Sequence, residues 1–500
     1  FSDGVTYEQR IAEAQAETGL LDAVVTGRAR ILSNPVVLAV FDFRFLGGSM
    51  GTVVGEKIAR AFDTARRART PALVVCSSGG ARLQEGMVAL FQMAKTAAAA
   101  ARMREQGTPL LVVMADPTMG GVLASFASLG DVVVAEPGAR VSFVGPRVHE
   151  QAALDAVPPG SAEFAYHHGL VDRVLPRAQL RAVLGTLVGL LRAPTGSGSA
   201  HVARPLTPAR PARDVWSTVE LARHPDRPSG RALIDQVLTD VVELHGDRQG
   251  EDDASIMAGL GRLGDRAVVF VAQDRAGPDG GHTGAGGYRK AQRLFTLAER
   301  ARLPVLTFVD TPGAATDQTA EADGVTAAIA ECLARLARLR TPVISVVIGE
   351  GGSGGALALS LGDRLLMLEN AIFSVIAPEA ASAILFHDTD HAHELADRLK
   401  VTAHDLLRLH LVDGVVPEHM PAHQEPEVTA QVVRQALMAE LAPLAQLPLK
   451  TLLKQREGRF RYVRQTRGRL RLMVRRPRGR GEPAGLAAPP NDADVRAAEA

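Results

Sequence analysis

Thr341-Pro342 opens onto the apolar run Val343 to Ile348, which breaks into Gly349-Glu350-Gly351-Gly352-Ser353-Gly354-Gly355-Ala356 and then reaches Leu359-Ser360-Leu361-Gly362-Asp363. The run is too short for a helix and reads as a buried strand, and the glycine-rich turn after it leads into an Ala-rich helix. The same order stands earlier in the chain. Thr108-Pro109 precedes Leu110 to Met114, a turn through Pro117-Thr118-Met119-Gly120-Gly121, and Ala127-Ser128-Leu129-Gly130-Asp131. Working outward, Gly55-Glu56-Lys57-Ile58-Ala59-Arg60-Ala61-Phe62 leads through Ala68-Arg69-Thr70-Pro71 to the apolar run Ala72 to Val75. Gly287-Tyr288-Arg289-Lys290-Ala291-Gln292-Arg293-Leu294 leads in the same way through Ala301-Arg302-Leu303-Pro304 to Val305 to Val309. Finally, Ser142-Phe143-Val144-Gly145-Pro146 matches Ser374-Val375-Ile376-Ala377-Pro378. These landmarks keep their order at an offset of about 232 residues, far longer than a solenoid period, so the chain is a two-fold repeat. Strand, glycine turn and helix recur twice per copy, which predicts α/β layers with crossover connections.

The rest of the chain fits that frame. With 46% hydrophobic and 22% charged residues, the composition is that of a globular protein and excludes a disordered or fibrous one. Lys+Arg 56 against Asp+Glu 55 leaves no overall field to attract nucleic acid or an anionic membrane. The two cysteines, Cys76 and Cys332, lie in apolar runs and can form neither a disulfide framework nor a four-cysteine zinc site, so a reducing cytoplasm is expected. No uninterrupted apolar stretch reaches the ~18 residues of a membrane span. The expected organisation is a first domain over 1–190, a linker over 191–213 and a second domain over 214–463. Pro194, Pro205, Pro208, Pro211 and Gly196-Ser197-Gly198-Ser199 mark the linker. A tail over 464–500 carries the arginines between Arg467 and Arg480 and is expected to be mobile.

Chemistry is expected at four turns: Ser78-Gly79-Gly80-Ala81-Arg82, Pro117-Thr118-Met119-Gly120-Gly121, Thr311-Pro312-Gly313-Ala314 and Gly349 to Ala356. Each follows a strand and opens a helix, whose first N–H groups are unpaired and sit at the positive dipole end. Two such turns per copy can aim two N–H groups at one oxygen, the arrangement that stabilises an enolate. Tight strand–helix packing explains one glycine turn equally well, and explains four at repeated positions less well. No Gly-Lys-Ser/Thr follows any turn, so a P-loop is excluded, and no Gly-x-Ser-x-Gly, His-Glu-x-x-His or Cys-x-x-Cys motif is present. Glu85 and Glu350 are candidate bases, with helix capping or ion pairing as the alternative.

These residues carry a family resemblance. Gly47-Gly48-Ser49-Met50-Gly51, Ser78 to Glu85, Asp116 to Gly121 and Phe143-Val144-Gly145-Pro146-Arg147 resemble the β subunit of bacterial acetyl-CoA carboxylase carboxyltransferase. His224-Pro225-Asp226-Arg227-Pro228, Gly246-Asp247-Arg248, Gly287 to Ala291, Asp310 to Ala314 and Ile348 to Ala356 resemble its α subunit. The chain is thus similar to a β–α fusion. The resemblance implies two crotonase-like domains, each a spiral of ββα units. It also implies transfer of CO2 from carboxybiotin, on a separate carrier protein, to acetyl-CoA, giving malonyl-CoA for fatty acid or polyketide synthesis. Gly79, Gly80, Ala81, Gly120 and Gly121 would surround the acyl-CoA carbonyl; Gly313, Ala314, Gly354 and Gly355 would surround biotin. The biotin nitrogen would take the α-proton. The implied partners are biotin carboxyl carrier protein, biotin carboxylase and a further copy of the chain in a dimer or larger assembly, with the site lying between a β-type and an α-type domain.

Two features depart from the family pattern. The β subunit's four-cysteine zinc ribbon has no counterpart, so zinc is not expected; the start at Phe1 suggests that something upstream was removed. Arg275 to Gly286 replaces a longer, Lys/Arg-rich stretch near the site entrance, which leaves another short acyl-CoA open as the substrate. A biotin-independent malonyl-thioester decarboxylase is the alternative enzyme, since it would need only the first pair of turns. A nucleic-acid role for Arg467 to Arg480 is disfavoured because no aromatic stacking residues interleave them.

Overall fold

The computed structural model describes residues 4–143, 159–192 and 214–461. The linker stretch 193–213, the tail 464–500 and the motif residues Val144 to Arg147 lie outside the described residues.

The first copy forms a seven-stranded sheet. Its strands are β1 (Val24–Ile31), β2 (Asn34–Phe41), β3 (Ala72–Ser78), β4 (Leu110–Met119), β5 (Val132–Ala135), β6 (Val141–Ser142) and β7 (Arg173–Val174). The order is β1-β2-β3-β4-β5-β7, with β6 paired to the end of β4. β1 and β2 are an antiparallel hairpin; every later pairing is parallel. The second copy adds β8 (Thr239–Glu243), β9 (Ile256–Leu263), β10 (Arg266–Gln273), β11 (Val305–Thr311), β12 (Val343–Gly352), β13 (Arg364–Leu368), β14 (Ile372–Ser374) and β15 (Gly414–Val416). These form an eight-stranded sheet in the order β15-β13-β12-β11-β10-β9-β8, with β14 on β12. The predicted α/β repeat is therefore present, each parallel step crossing over through a helix.

The helices set the register between the copies. Thr52–Ala68 buries Val54, Ile58, Ala61, Phe62 and Ala65, one face at helical spacing, and stops where Arg69 turns left-handed at φ 48°. Ala285–Ala301 has the same length, buries Leu294, Phe295 and Ala298, and stops at Arg302 with φ 56°. Phe62 therefore stands opposite Phe295, and Gly55 opposite Tyr288 rather than Gly287. By Asp131 and Asp363 the offset between copies is one residue shorter. The change coincides with a π turn at Leu123–Ala127, a conformation that accommodates one extra residue in a helix.

One face of the first sheet packs on Thr52–Ala68 and Met87–Glu105. Its other face shares a core with the second sheet through Leu184, Leu187, Val188, Leu190 and Leu191 of the helix Arg177–Arg192. Charge ties the copies together at their edge. Asp131 accepts from Leu110 N and from Arg300 Nη1 at 3.0 Å; Asp172 accepts from Val133 N and from Arg293 Nη2 at 2.9 Å, with Arg248 also on its carboxylate. The second copy repeats the device with its own helix, Leu449–Arg461. Asp363 receives Val343 N and Arg456, and Asp413 receives Leu365 N and Arg459. The amino ends of β4 and β5 and of β12 and β13 are thereby held by matching frameworks. No helix among the described residues is long and apolar enough to cross a membrane.

Candidate active site

At the end of β3 the chain turns through Ser78–Arg82, directly against the turn that ends β4. Gly80 has φ +113°, and a Cβ there would lie 3.2 Å from Gly121 N and 3.3 Å from Gly120 Cα, so the two turns meet backbone to backbone. The structure brings Gly79, Gly80, Ala81, Gly120 and Gly121 together, but their amides are not equivalent. Gly79 N donates to Gly47 O at 2.9 Å and Gly80 N to Ser78 Oγ at 3.0 Å. Met50 N donates to Gly80 O and Arg82 N to Met50 O, pinning the turn on both sides of Ala81. Among the described residues, the N–H groups of Ala81 and Gly121 have no acceptor.

The second copy repeats this arrangement. Gly313 N donates to Thr311 Oγ1 at 3.1 Å, Thr283 N to Gly313 O at 3.2 Å, and Ala315 N to Thr283 O at 2.9 Å. Ser353 adopts φ 51° where Gly120 adopts φ 53°, so Gly354 stands where Gly121 does. The amides of Ala314 and Gly354 are uncommitted among the described residues. Gly355 serves another purpose: a Cβ on it would sit 2.5 Å from Ala314 N, so its lack of a side chain is what lets the turns close. Each copy therefore presents a pair of amides, at two neighbouring strand ends, that are uncommitted among the described residues.

A family model described as "Acetyl co-enzyme A carboxylase carboxyltransferase-like" matches residues 212–464. Over 480 residues the chain is 47% identical to the acetyl-coenzyme A carboxylase carboxyl transferase subunits beta/alpha of Salinispora tropica, covering 92% of this chain and 85% of that one. The chain belongs to the acetyl-CoA carboxylase carboxyltransferase family. It is an enzyme, with β-like and α-like halves in one polypeptide. This carboxyltransferase is also 40% identical to a probable biotin-dependent acyl-coenzyme A carboxylase beta3 subunit of Mycobacterium bovis, covering 92% of each chain. Its fold is that of transcarboxylase 12S, solved with methylmalonyl-coenzyme A and methylmalonic acid bound: TM-score 0.67, 23% identity, 83% of this chain and 82% of that one covered.

The carboxylates that the sequence offered as bases are occupied in the carboxyltransferase. The helix Thr52–Ala68 begins after Gly51, which has no side chain to cap it. Glu85 supplies the cap, accepting from Thr52 N at 2.6 Å and Thr52 Oγ1 at 2.5 Å, and from Tyr7 Oη at 2.6 Å. Glu350 is buried and held by Arg223 Nη2 and Arg275 Nη1, each at 2.7 Å. Asp310, unassigned from sequence, is buried at the end of β11 and accepts from Glu350 N at 2.8 Å; burial pushes its carboxyl up to about 7. Its signal was only an acidic residue inside an apolar strand. Among the described residues no cluster of three or more His, Cys, Asp or Glu could hold a metal ion.

Glu85 gives the cap of the helix Thr52–Ala68 a pH dependence. Burial opposes its ionisation, but the hydrogen bonds from Thr52 and Tyr7 outweigh burial and hold it below its ordinary 4.5. A carboxylate depressed in the folded state contributes stability above its unfolded pKa and loses it as pH falls through the folded value. Urea midpoints are therefore expected to be flat above pH 5 on this account and to drop below about 4.5, with Glu85→Gln removing part of the drop.

Proposed function

We propose that this carboxyltransferase moves the carboxyl group of carboxybiotin, carried on a separate biotin carboxyl carrier protein, to acetyl-CoA. The observation that supports this reading is the duplication itself: two pairs of uncommitted amides, one per copy, for a reaction in which two oxygens gain negative charge in turn. Ala81 and Gly121 hold the thioester oxygen as the α-carbon loses its proton. Ala314 and Gly354 hold the ureido oxygen as CO2 departs. The proton goes to the biotin nitrogen, consistent with Glu85 and Glu350 being engaged elsewhere. In this reading residues 1–190 form the acyl-CoA side, 214–463 the carboxybiotin side, and 191–213 the link between them.

The site is completed, on this proposal, between the first half of one copy and the second half of another. Apolar side chains stand exposed in the segments that follow the turns in sequence: Leu83 (81%), Met87 and Phe91 after the first, Val375 (72%), Ile384 and Leu385 after the last. Patches of this kind on a soluble protein mark interaction surfaces.

The test is the reverse reaction. Purified chain with malonyl-CoA and free biotin should release acetyl-CoA only when biotin is present. Release at the same rate without biotin would identify a decarboxylase. Faster turnover of methylmalonyl-CoA than of malonyl-CoA would replace acetyl-CoA by a longer acyl acceptor.

A further inference from the structure

The two holes match at their amides and differ behind them. Behind the first hole stand Phe41, the last residue of β2; Met50, bridged to Ala81; Gly55, fourth in its helix; and Val122, third after β4. The equivalent positions of the second copy are Gln273, Thr283, Tyr288 and Gly355, each reached by the same element and the same count. All of these positions are buried. Three of the four positions carry a polar side chain in the second copy and none does in the first.

Gln273 bridges the two turns of the second hole. Its Nε2 donates to Gly355 O at 3.2 Å, with Thr283 Oγ1 at 3.4 Å, and Thr283 is laddered on both sides to Gly313–Ala315. Two polar atoms of this wall have no hydrogen-bond partner among the described residues: Gln273 Oε1 and Tyr288 Oη. Thr283 is near enough to Tyr288 to influence its hydroxyl but does not meet hydrogen-bond geometry. The point where a Cβ on Gly355 would stand lies 2.5 Å from Ala314 N and 2.8 Å from Tyr288 Oη, so the hydroxyl sits immediately behind the free amide. Unpaired buried polar groups are few in native proteins and each is destabilising. The first copy carries one as well, Gln92 Oε1, where a Cβ on Gly55 would stand, but Gln92 Nε2 donates to Val88 O of its own helix and bridges no turn.

We infer that Gln273 and Tyr288 are positioning residues of the second hole. Gln273 holds Gly355, and with it the Gly354 amide, in register with Ala314. The spare carbonyl and the spare hydroxyl are one acceptor and one donor, and they pair as the two turns draw in on a charged ligand oxygen. Gln92, behind the first hole, makes no such bridge.

The inference rests on the assignment of Ala314 and Gly354 to the ureido oxygen, so the test carries a separate control. In the reverse assay, Gln273→Met, which keeps size and loses the amide, and Tyr288→Phe, which loses only the hydroxyl, should each lower kcat about 10–100-fold, because displacing a reacting contact by ~1 Å has effects of that order. KM for malonyl-CoA should stay unchanged, since the first hole is untouched. The double variant should lose no more than the worse single one, as two groups acting through one contact do not add. Wild-type kcat in either variant, or fully additive losses, would overturn the inference. An increase in KM for malonyl-CoA in parallel with a collapsed melting temperature in both variants would do the same, marking the wall as merely structural. If Gly354→Val is inactive while both wall variants are normal, only this inference fails; if Gly354→Val is itself normal, the hole assignment fails.

Discussion

Gly354→Val should leave the protein folded and reduce carboxyl transfer about 10²–10³-fold, the usual effect of losing one donor from an oxyanion hole. The position is unusual among the site glycines. A Cβ there meets no atom within 4 Å, and its φ is not left-handed, so a valine is neither strained nor overpacked. Its branched side chain instead occupies the open space beside the Gly354 amide. The loss should fall on kcat in the biotin-dependent assay, with KM for malonyl-CoA unchanged and the melting temperature close to wild type. Gly355→Ala makes the contrast. One methyl there must push Ala314 N from 2.5 Å, so activity and stability should fall together. A Gly354→Val enzyme that turns over normally would remove this amide from the reaction.

Arg82→Ala should be the most destabilising single change near the first hole. The guanidinium is fully buried, bonded to Asp22 Oδ1 at 2.6 Å and Oδ2 at 3.2 Å, to Ser49 O at 2.8 Å, to Ser49 Oγ at 3.1 Å and to Tyr7 Oη at 3.1 Å. Removing it strands the Asp22 carboxylate, which is itself buried. Breaking a buried pair by deleting one partner destabilises by about 3–5 kcal/mol. Because the same side chain clamps Ser49 next to Met50, whose backbone pins both sides of Ala81, activity should fall even where the chain remains folded. Arg82→Lys should rescue little, since one ammonium cannot serve a fork of acceptors in three directions. The readouts are the urea midpoint and kcat below the unfolding transition. A midpoint within experimental error of wild type would show that Asp22 finds another partner.

The strand-to-helix turns were legible in residues such as Gly80, Gly313 and Gly354 because glycine after an apolar run carries its meaning locally. The two carboxylates show where local reading stops. Glu85 caps a helix that begins 33 residues earlier, and Glu350 meets Arg223 across 127 residues, so nothing beside either residue in sequence reports its partner. The register between copies was one residue off at Gly55 for a related reason. Identity of neighbouring letters favoured Gly287, whereas the buried faces of the two helices coincide only when Gly55 meets Tyr288.

Sequence alone determined the two-fold α/β repeat, the four strand-to-helix turns and the family resemblance, because apolar runs, glycines and short motifs are properties of contiguous chain. Tertiary structure alone decided which of the nine candidate site residues keep a free amide. Gly79, Gly80 and Gly313 spend theirs on Gly47, Ser78 and Thr311, while Ala81, Gly121, Ala314 and Gly354 keep theirs uncommitted among the described residues. It also decided that the second hole is backed by Gln273 and Tyr288 where the first has Phe41 and Gly55. A hydrogen-bond donor is spent or spared by whichever segment packs against it, and that segment is chosen by the fold.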